Sequence, residues 1–450
     1  MKSYKFVMVI VILLEFMLYG RLIIAEEVKI DSTIFSGVEA RSIGPAVMSG
    51  RIMAIDAVNS DPNIIYVGAA SGGVWKSTNG GINFKPIFDK YTQSIGAIAV
   101  DQSNPNIVWV GTGEGCTRNS VSVGTGLYKS TDGGERWRLV GLKDSERISK
   151  ILIDPKDSNI VYVAVLGHLW DDNQERGVFK TTDGGETWQR MLFINNSTGA
   201  VDIAMNPADT SVLYAAMWQF RRKPYFFTSG GTASGLFKST DAGKTWRKLT
   251  KGLPDGILGR IAIAVANSKP EIVYALVEAE DGGLYRSDNS GETWVKLNAS
   301  FNILARPFYF SHLVVDPVDY KRVYKPGFTL TVSEDGGISF SSVSINESKI
   351  HPDHHALWIN PNNTSYLILG TDGGIYISRD RGANWRFLTN LPISQFYNIS
   401  YDMEMPYNVY GGLQDNGSWM GPAEDPNGIE NRDWRVVGGG DGFYVHPDLN

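Results

Sequence analysis

Apolar residues along this chain come in short alternating runs split by turns. Ile98-Ala-Val-Asp-Gln-Ser-Asn-Pro-Asn-Ile-Val-Trp-Val-Gly111 holds two such runs around an Asn-Pro step, and Ile151-Leu-Ile-Asp-Pro-Lys-Asp-Ser-Asn-Ile-Val-Tyr-Val-Ala164 repeats the form. β-Branched alternation bounded by turn residues predicts strands. A variable loop follows, then a third short run (Gly126-Leu-Tyr-Lys129, Gly177-Val-Phe-Lys180). Next comes an octapeptide, and a fourth strand after its closing aromatic.

The octapeptide recurs seven times. Its copies are Ser77-Thr-Asn-Gly-Gly-Ile-Asn-Phe84, Ser130-Thr-Asp-Gly-Gly-Glu-Arg-Trp137 and Thr181-Thr-Asp-Gly-Gly-Glu-Thr-Trp188. They continue as Ser239-Thr-Asp-Ala-Gly-Lys-Thr-Trp246, Ser287-Asp-Asn-Ser-Gly-Glu-Thr-Trp294, Ser333-Glu-Asp-Gly-Gly-Ile-Ser-Phe340 and Ser378-Arg-Asp-Arg-Gly-Ala-Asn-Trp385. Their starts lie 45 to 58 residues apart. Internal repeats of this period mark solenoids or propellers, and four antiparallel strands per repeat make a propeller blade. The predicted fold is all-β, a seven-bladed β-propeller over residues 42–392. Residues 393–450 start an eighth unit (Phe396–Pro422) and a ninth (Trp434–Asp448) without a proper octapeptide. They predict the start of a second, truncated propeller; one open ring of more than seven blades is the alternative.

Within the octapeptide, the third-position Asp or Asn can accept backbone N–H bonds inside the hairpin. The fifth-position Gly can take a positive φ. The closing aromatic can pack between sheets. All seven units carry these residues, so they predict a structural lock rather than a catalytic or calcium site.

Composition narrows the function. A net charge of −6 gives no basic face for nucleic acid. The single cysteine, Cys116, excludes an intramolecular disulfide and a multi-cysteine zinc cluster. No dinucleotide or phosphate-loop motif stands out, so no cofactor is expected. Residues 1–25 read as a secretory signal: Lys2 and Lys5 are the basic region, Phe6–Leu14 the apolar region and Ala25 the end. Glu15 and Arg21 break the apolar stretch too early for a membrane helix. The expected product is secreted or periplasmic, without a membrane span after cleavage.

Three loops between second and third strands are unusually long, and long loops are often functional. Residues 112–125 hold Glu114, Arg118 and Asn119; residues 166–176 hold His168, Trp170, Asp171, Asp172 and Glu175. Residues 217–234 hold Trp218, Phe220, Arg221, Arg222, Tyr225 and Phe226. Flat rings beside charged groups suit a glycan or a polypeptide. The candidate ligand-binding set is Arg118, Trp170, Trp218, Arg221, Arg222 and Tyr225; both tryptophans follow strands directly and also fit inter-blade core. Two carboxylates about 5–5.5 Å or about 6.5–9.5 Å apart would suit glycoside hydrolysis. Glu114, Asp171 and Asp372 are the catalytic candidates, with Glu175 and Asp415 also in view. His351-Pro-Asp-His-His355 gathers three histidines, which with Asp372 could hold a divalent metal. Alternation along the following strand sends neighbours to opposite faces, so the cluster is read as positioning a loop and no metal is assigned.

The octapeptide resembles the Asp-box, or BNR repeat, found in sialidases, xyloglucanase-type glycoside hydrolases and the sortilin-type propeller. Over residues 42–450 the chain looks most like bacterial secreted proteins named after the sortilin N-terminal domain or called glycosyl hydrolases. Ser42-Ile-Gly-Pro-Ala-Val-Met-Ser-Gly-Arg51, Gly111-Thr-Gly-Glu-Gly115, Asp353-His-His-Ala-Leu-Trp-Ile-Asn-Pro361 and Gly411-Gly-Leu-Gln-Asp-Asn-Gly-Ser-Trp419 carry that likeness. Two departures shape the expectation. The sialidase Arg-Ile-Pro step is here Arg51-Ile52-Met53, and the stretch matching the first-blade catalytic Asp of xyloglucanases, Gly68-Ala-Ala-Ser-Gly-Gly-Val-Trp75, has no acid. The resemblance therefore implies a secreted binding propeller, with a double-propeller glycoside hydrolase as the rival.

Overall fold

A computed structural model describes residues 41, 43, 49–344 and 349–448; the predicted signal segment lies outside them. Eight antiparallel sheets follow one another, spanning 52–86, 95–141, 148–192, 198–248, 261–298, 314–342, 354–387 and 396–438. Each has four strands in chain order, and the fourth sheet carries one more. Among the described residues, helix is confined to short pieces, among them α1 (Phe301–Leu304) and α2 (Pro307–Phe310).

Packing between sheets explains the alternating pattern. Trp137 joins Tyr66 and Val110 in a cluster shared by the first two sheets. Equivalent clusters link second to third, third to fourth, and onward to the seventh. The seventh returns to the first, where Trp358, Tyr366 and Ile368 pack on Ile52, Ile65 and Val67. First strands of these seven sheets surround a cavity of about 180 Å³, lined by Ala54, Ala97, Lys150, Asp202, Ile261, Val314 and Ala356 among others.

Each octapeptide lies between the third and fourth strands of its sheet, as Ser130 closes Leu127–Ser130 and Arg138 opens Arg138–Gly141. Its geometry is local. Ser130 Oγ donates to Asp132 Oδ1 (2.8 Å) and accepts the Gly134 N–H (2.8 Å). Asp132 Oδ1 accepts the Arg136 N–H at 2.9 Å. The same pattern holds at Thr181/Asp183, Ser239/Asp241 and Ser378/Asp380. The fifth-position glycines have φ of 82° to 98°, a region that L side chains avoid. Trp137 and Trp188 each donate an indole N–H to the preceding sheet, at Ile87 O and Val140 O (both 2.8 Å).

The chain after residue 392 differs from its sequence reading. Arg435–Gly438 is the fourth strand of the eighth sheet, paired with Ser418–Pro422, so Trp434–Asp448 does not open a separate unit. This sheet keeps Ile399, Tyr401, Val436 and Val437 exposed. Its turn at 413–417 reaches the channel mouth, where Asn416 Nδ2 donates to Asp372 O (3.0 Å).

Candidate functional site

The mouth of the channel gathers charges from distant parts of the chain. Arg51 directly precedes the first strand. Its Nε and Nη2 donate to Asp372 Oδ1 and Oδ2, both at 2.5 Å, the bidentate fork that suits arginine to carboxylate. Nη2 also reaches Asp415 Oδ2 at 3.2 Å, and Nη1 lies 3.9 Å from Glu114 Oε2. Glu114 in turn accepts Arg118 Nη2 at 2.5 Å, while Arg118 Nη1 donates to Gln414 Oε1 at 2.9 Å. His355 Nε2 donates to Asp372 Oδ1 at 2.6 Å.

Burial and charged partners oppose each other in setting the protonation. It would lift the Asp372 carboxyl, but His355 and Arg51 outweigh it and hold the group well below the ordinary carboxylate range. Burial would likewise depress His355; Asp372 opposes it and the imidazole is pushed up to about 9, so it is charged at neutral pH. Asp415 is pushed up to about 6 by burial and by the Asp372 charge. Its side chain is 30% exposed, whereas Glu114 and Asp372 are enclosed. A carboxyl titrating near neutrality with solvent access can give or take a proton.

A wall rises beside the mouth. Strand Leu213–Lys223 runs on past its sheet and pairs with Phe226–Ser229, so much of the predicted loop 217–234 is a projecting hairpin. Cross-loop bonds tie three loops together: Arg221 pairs with Asp172, Arg222 Nε donates to Asn119 Oδ1 (2.7 Å) and Lys223 Nζ to Trp170 O (2.9 Å). Tyr225 stands 84% exposed at the hairpin tip.

The predicted residues therefore separate. Glu114, Arg118 and Asp372 meet at the mouth, with Asp415. Arg221, Arg222 and Tyr225 share the wall with Trp170, whose ring is partly packed on the core. Trp218 corrects the sequence reading: it is 0% exposed, its indole N–H bonded to Ser229 Oγ, and it offers no face to a ligand. Asp171 lies apart on the surface, bonded to His168 Nδ1 at 2.7 Å. His354 and His355 diverge at a register shift: His354 Nε2 turns to His351 O, His355 to Asp372. Among the described residues, no three His, Cys, Asp or Glu side chains converge as a metal would need.

Sequence reasoning missed three residues. Arg51 enters the sequence reading only as the match to the sialidase Arg-Ile-Pro step, yet it is the hub of the mouth. Arg176 holds the 166–176 loop from inside, donating to Leu166 O, His168 O and Asp171 O. Asn173 anchors the same loop to Asp144 O. One signal was available for the mouth. Glu114, Asp372 and Asp415 each fall one or two residues after a second strand, which ends at Thr112, Thr371 and Leu413; equivalent positions converge at one end of a propeller.

Comparisons with known proteins agree with this architecture. Residues 125–255 match the family described as sortilin, neurotensin receptor 3. The xyloglucanase Xgh74A of Acetivibrio thermocellus is 22% identical over 301 residues, which are 55% of this chain and 33% of that protein. A xyloglucanase of Hypocrea jecorina is 27% identical over 233 residues, 45% of this chain and 25% of the relative. The chain thus spans a third or less of the length of these relatives. Among solved structures, the GH74 enzyme of Niastella koreensis superposes with a TM-score of 0.60 at 16% identity, over 83% of this chain and 59% of that one. YCF48 bound to D1 peptide gives 0.50 at 13% identity, over 74% and 94%. The chain is a β-propeller protein similar to sortilin and to the xyloglucanases.

Proposed function

We propose that this chain is an exported binding propeller. Its seven octapeptide sheets form the ring over residues 42–392, and residues 393–450 begin a second propeller. A glycan or polypeptide docks on the wall of residues 112–125, 166–176 and 217–234. The observation that carries this reading is the wall itself: long loops from three consecutive sheets are bonded into one surface with an exposed aromatic tip. Arg118 links that surface to the mouth, and Arg221, Arg222, Tyr225 and Trp170 supply its polar and flat groups. Glu114 and Asp372 are consumed in buried arginine pairs, which suits a rigid platform better than acid–base work.

Hydrolysis is the second reading, favoured by Asp415 alone among the mouth acids, since it keeps solvent access and a raised pKa. Soluble polysaccharides and peptide libraries presented to the full-length protein separate the readings. Saturable binding without release of reducing ends supports the platform. Release that disappears in Asp415→Asn at unchanged fold would replace it with a hydrolase.

A further inference from the structure

The channel holds a second set of polar groups that neither the mouth nor the wall uses. Where the fifth, sixth and seventh sheets meet, the cavity is lined by Arg260, Ser311, His312 and Pro326, with the mouth's His355 beside them. Arg260 is 4% exposed; its Nη1 donates to Phe308 O at 3.1 Å, but its Nε has no partner among the described residues. His312 Nε2 is likewise unpaired. Behind Pro326 lies Lys325, 1% exposed, at the end of strand Val323–Lys325. Its Nζ is unpaired, as is the hydroxyl of Thr331, its cross-strand neighbour. The ammonium sits 5.8 Å from the centre of the Phe310 ring, which stacks on His355 at 5.8 Å.

The groups acting most on His312 besides its burial are Arg260, His355, Lys325 and Lys150, all of them cationic. Burial alone depresses Lys325, to about 8, with no acidic neighbour offsetting it. The acids around this corner are otherwise engaged: Asp372 with Arg51 and His355, Asp202 with the Ile203 and Ile263 N–H groups, and Glu278 with Ser229 Oγ and the Arg260 N–H. A buried cation without a counter-charge is costly unless something compensates it. Gly327 makes the close approach possible, because a Cβ there would lie 2.3 Å from Lys325 Nζ.

We propose that this corner of the channel is a binding site for a small oxyanion, held by Arg260, His312 and Lys325. The size is consistent: the whole channel cavity, about 180 Å³, falls below the ~300–1,000 Å³ of pockets for drug-sized ligands. The shared chemistry is a compact anionic group with several acceptor oxygens, either a free tetrahedral ion or the carboxylate end of a molecule entering the channel. This site is independent of the wall, so either can fail alone.

Calorimetric titration of the full chain with inorganic phosphate, sulfate and formate tests it, with chloride at matched ionic strength as the control. Expected is saturable binding of one oxyanion per chain, with a melting temperature that climbs with the logarithm of its concentration. Phosphate or sulfate binding over formate identifies a free tetrahedral ion, and the reverse identifies a carboxylate end. Lys325→Met should weaken binding by about ten- to a hundredfold, the scale of one lost charge-assisted hydrogen bond. His312→Gln should weaken it too, and serves if Lys325→Met does not fold. Tyr225→Ala, on the wall, should leave it unchanged. No saturable binding at millimolar anion, the same response to chloride, or equal responses from wild type and both variants would overturn the proposal.

Discussion

Carboxylates do two different jobs at the outer rim and at the channel mouth. At the rim, Asp183 bonds to groups two and four residues away, Thr181 Oγ1 and the Thr187 N–H. At the mouth, Asp372 bonds to Arg51, which lies 321 residues away in sequence. The rim position repeats in every box, as Asp in five and as Asn in two, Asn79 and Asn289. The mouth carboxylates do not repeat, and Asp372 among them is held fully charged by Arg51 and His355. A rim acid therefore fastens one hairpin, whereas Asp372 fastens the seventh sheet to the start of the first.

The largest effect should come from breaking the mouth. Arg51→Ala leaves Asp372 and Glu114 buried with fewer partners, and losing one member of a buried pair costs roughly 3–5 kcal/mol. Chemical denaturation should show it, and Arg51→Lys should restore little because lysine lacks the fork. Should Arg51→Ala unfold at the wild-type midpoint, the mouth is not what fastens the ring.

A smaller loss is expected at the rim. Ser130→Ala removes the acceptor of the buried Gly134 N–H and should cost roughly 1–3 kcal/mol. Asp183→Ala should lower the melting temperature less, since its carboxylate is open to solvent. Both should unfold cooperatively without a change in ligand binding at matched folded fraction.

The pH responses sharpen the contrast. His355 has a raised pKa in the folded chain, about 9. Its contribution is complete below the ordinary histidine value and is lost as pH rises through about 9. Denaturation midpoints should thus fall over that window, and His355→Gln should flatten the fall. Asp415 is also raised, to about 6. Its protonated form favours the folded state, so attachment of the 413–417 turn should weaken as pH climbs from the ordinary aspartate range to about 6. Hydrogen exchange of the Asn416 side-chain amide reports this, and Asp415→Asn should abolish the dependence. Rim acids such as Asp335 shift the other way, down to about 2, and should matter only in strong acid.

This division also explains what the sequence made legible. The octapeptide is a local device: every bond spans two to four residues, so spacing reveals the turn, its place between the third and fourth strands, and the repeat. The mouth is non-local. Glu114 and Asp372 stood out as acids near strand ends, but nothing adjacent in sequence pointed to Arg51 as their common partner. Trp218 misled because an aromatic after a strand fits wall and core equally; only the extension of Leu213–Lys223 into a hairpin turned its ring inward. Residues 434–438 misled for a similar reason, since a strand without its octapeptide carries no sign of which sheet it completes.

The claim that the wall binds while the rim only supports is tested most directly by one side-by-side affinity measurement. Full-length wild type, Asp183→Ala, and the triple variant Arg221→Ala/Arg222→Ala/Tyr225→Ala would be titrated with the same captured glycan or polypeptide, each corrected for folded fraction. The account predicts wild-type affinity for Asp183→Ala and at least a tenfold loss, about 1.4 kcal/mol, for the triple variant. Unchanged affinity in the triple variant, or a loss confined to Asp183→Ala, would contradict it.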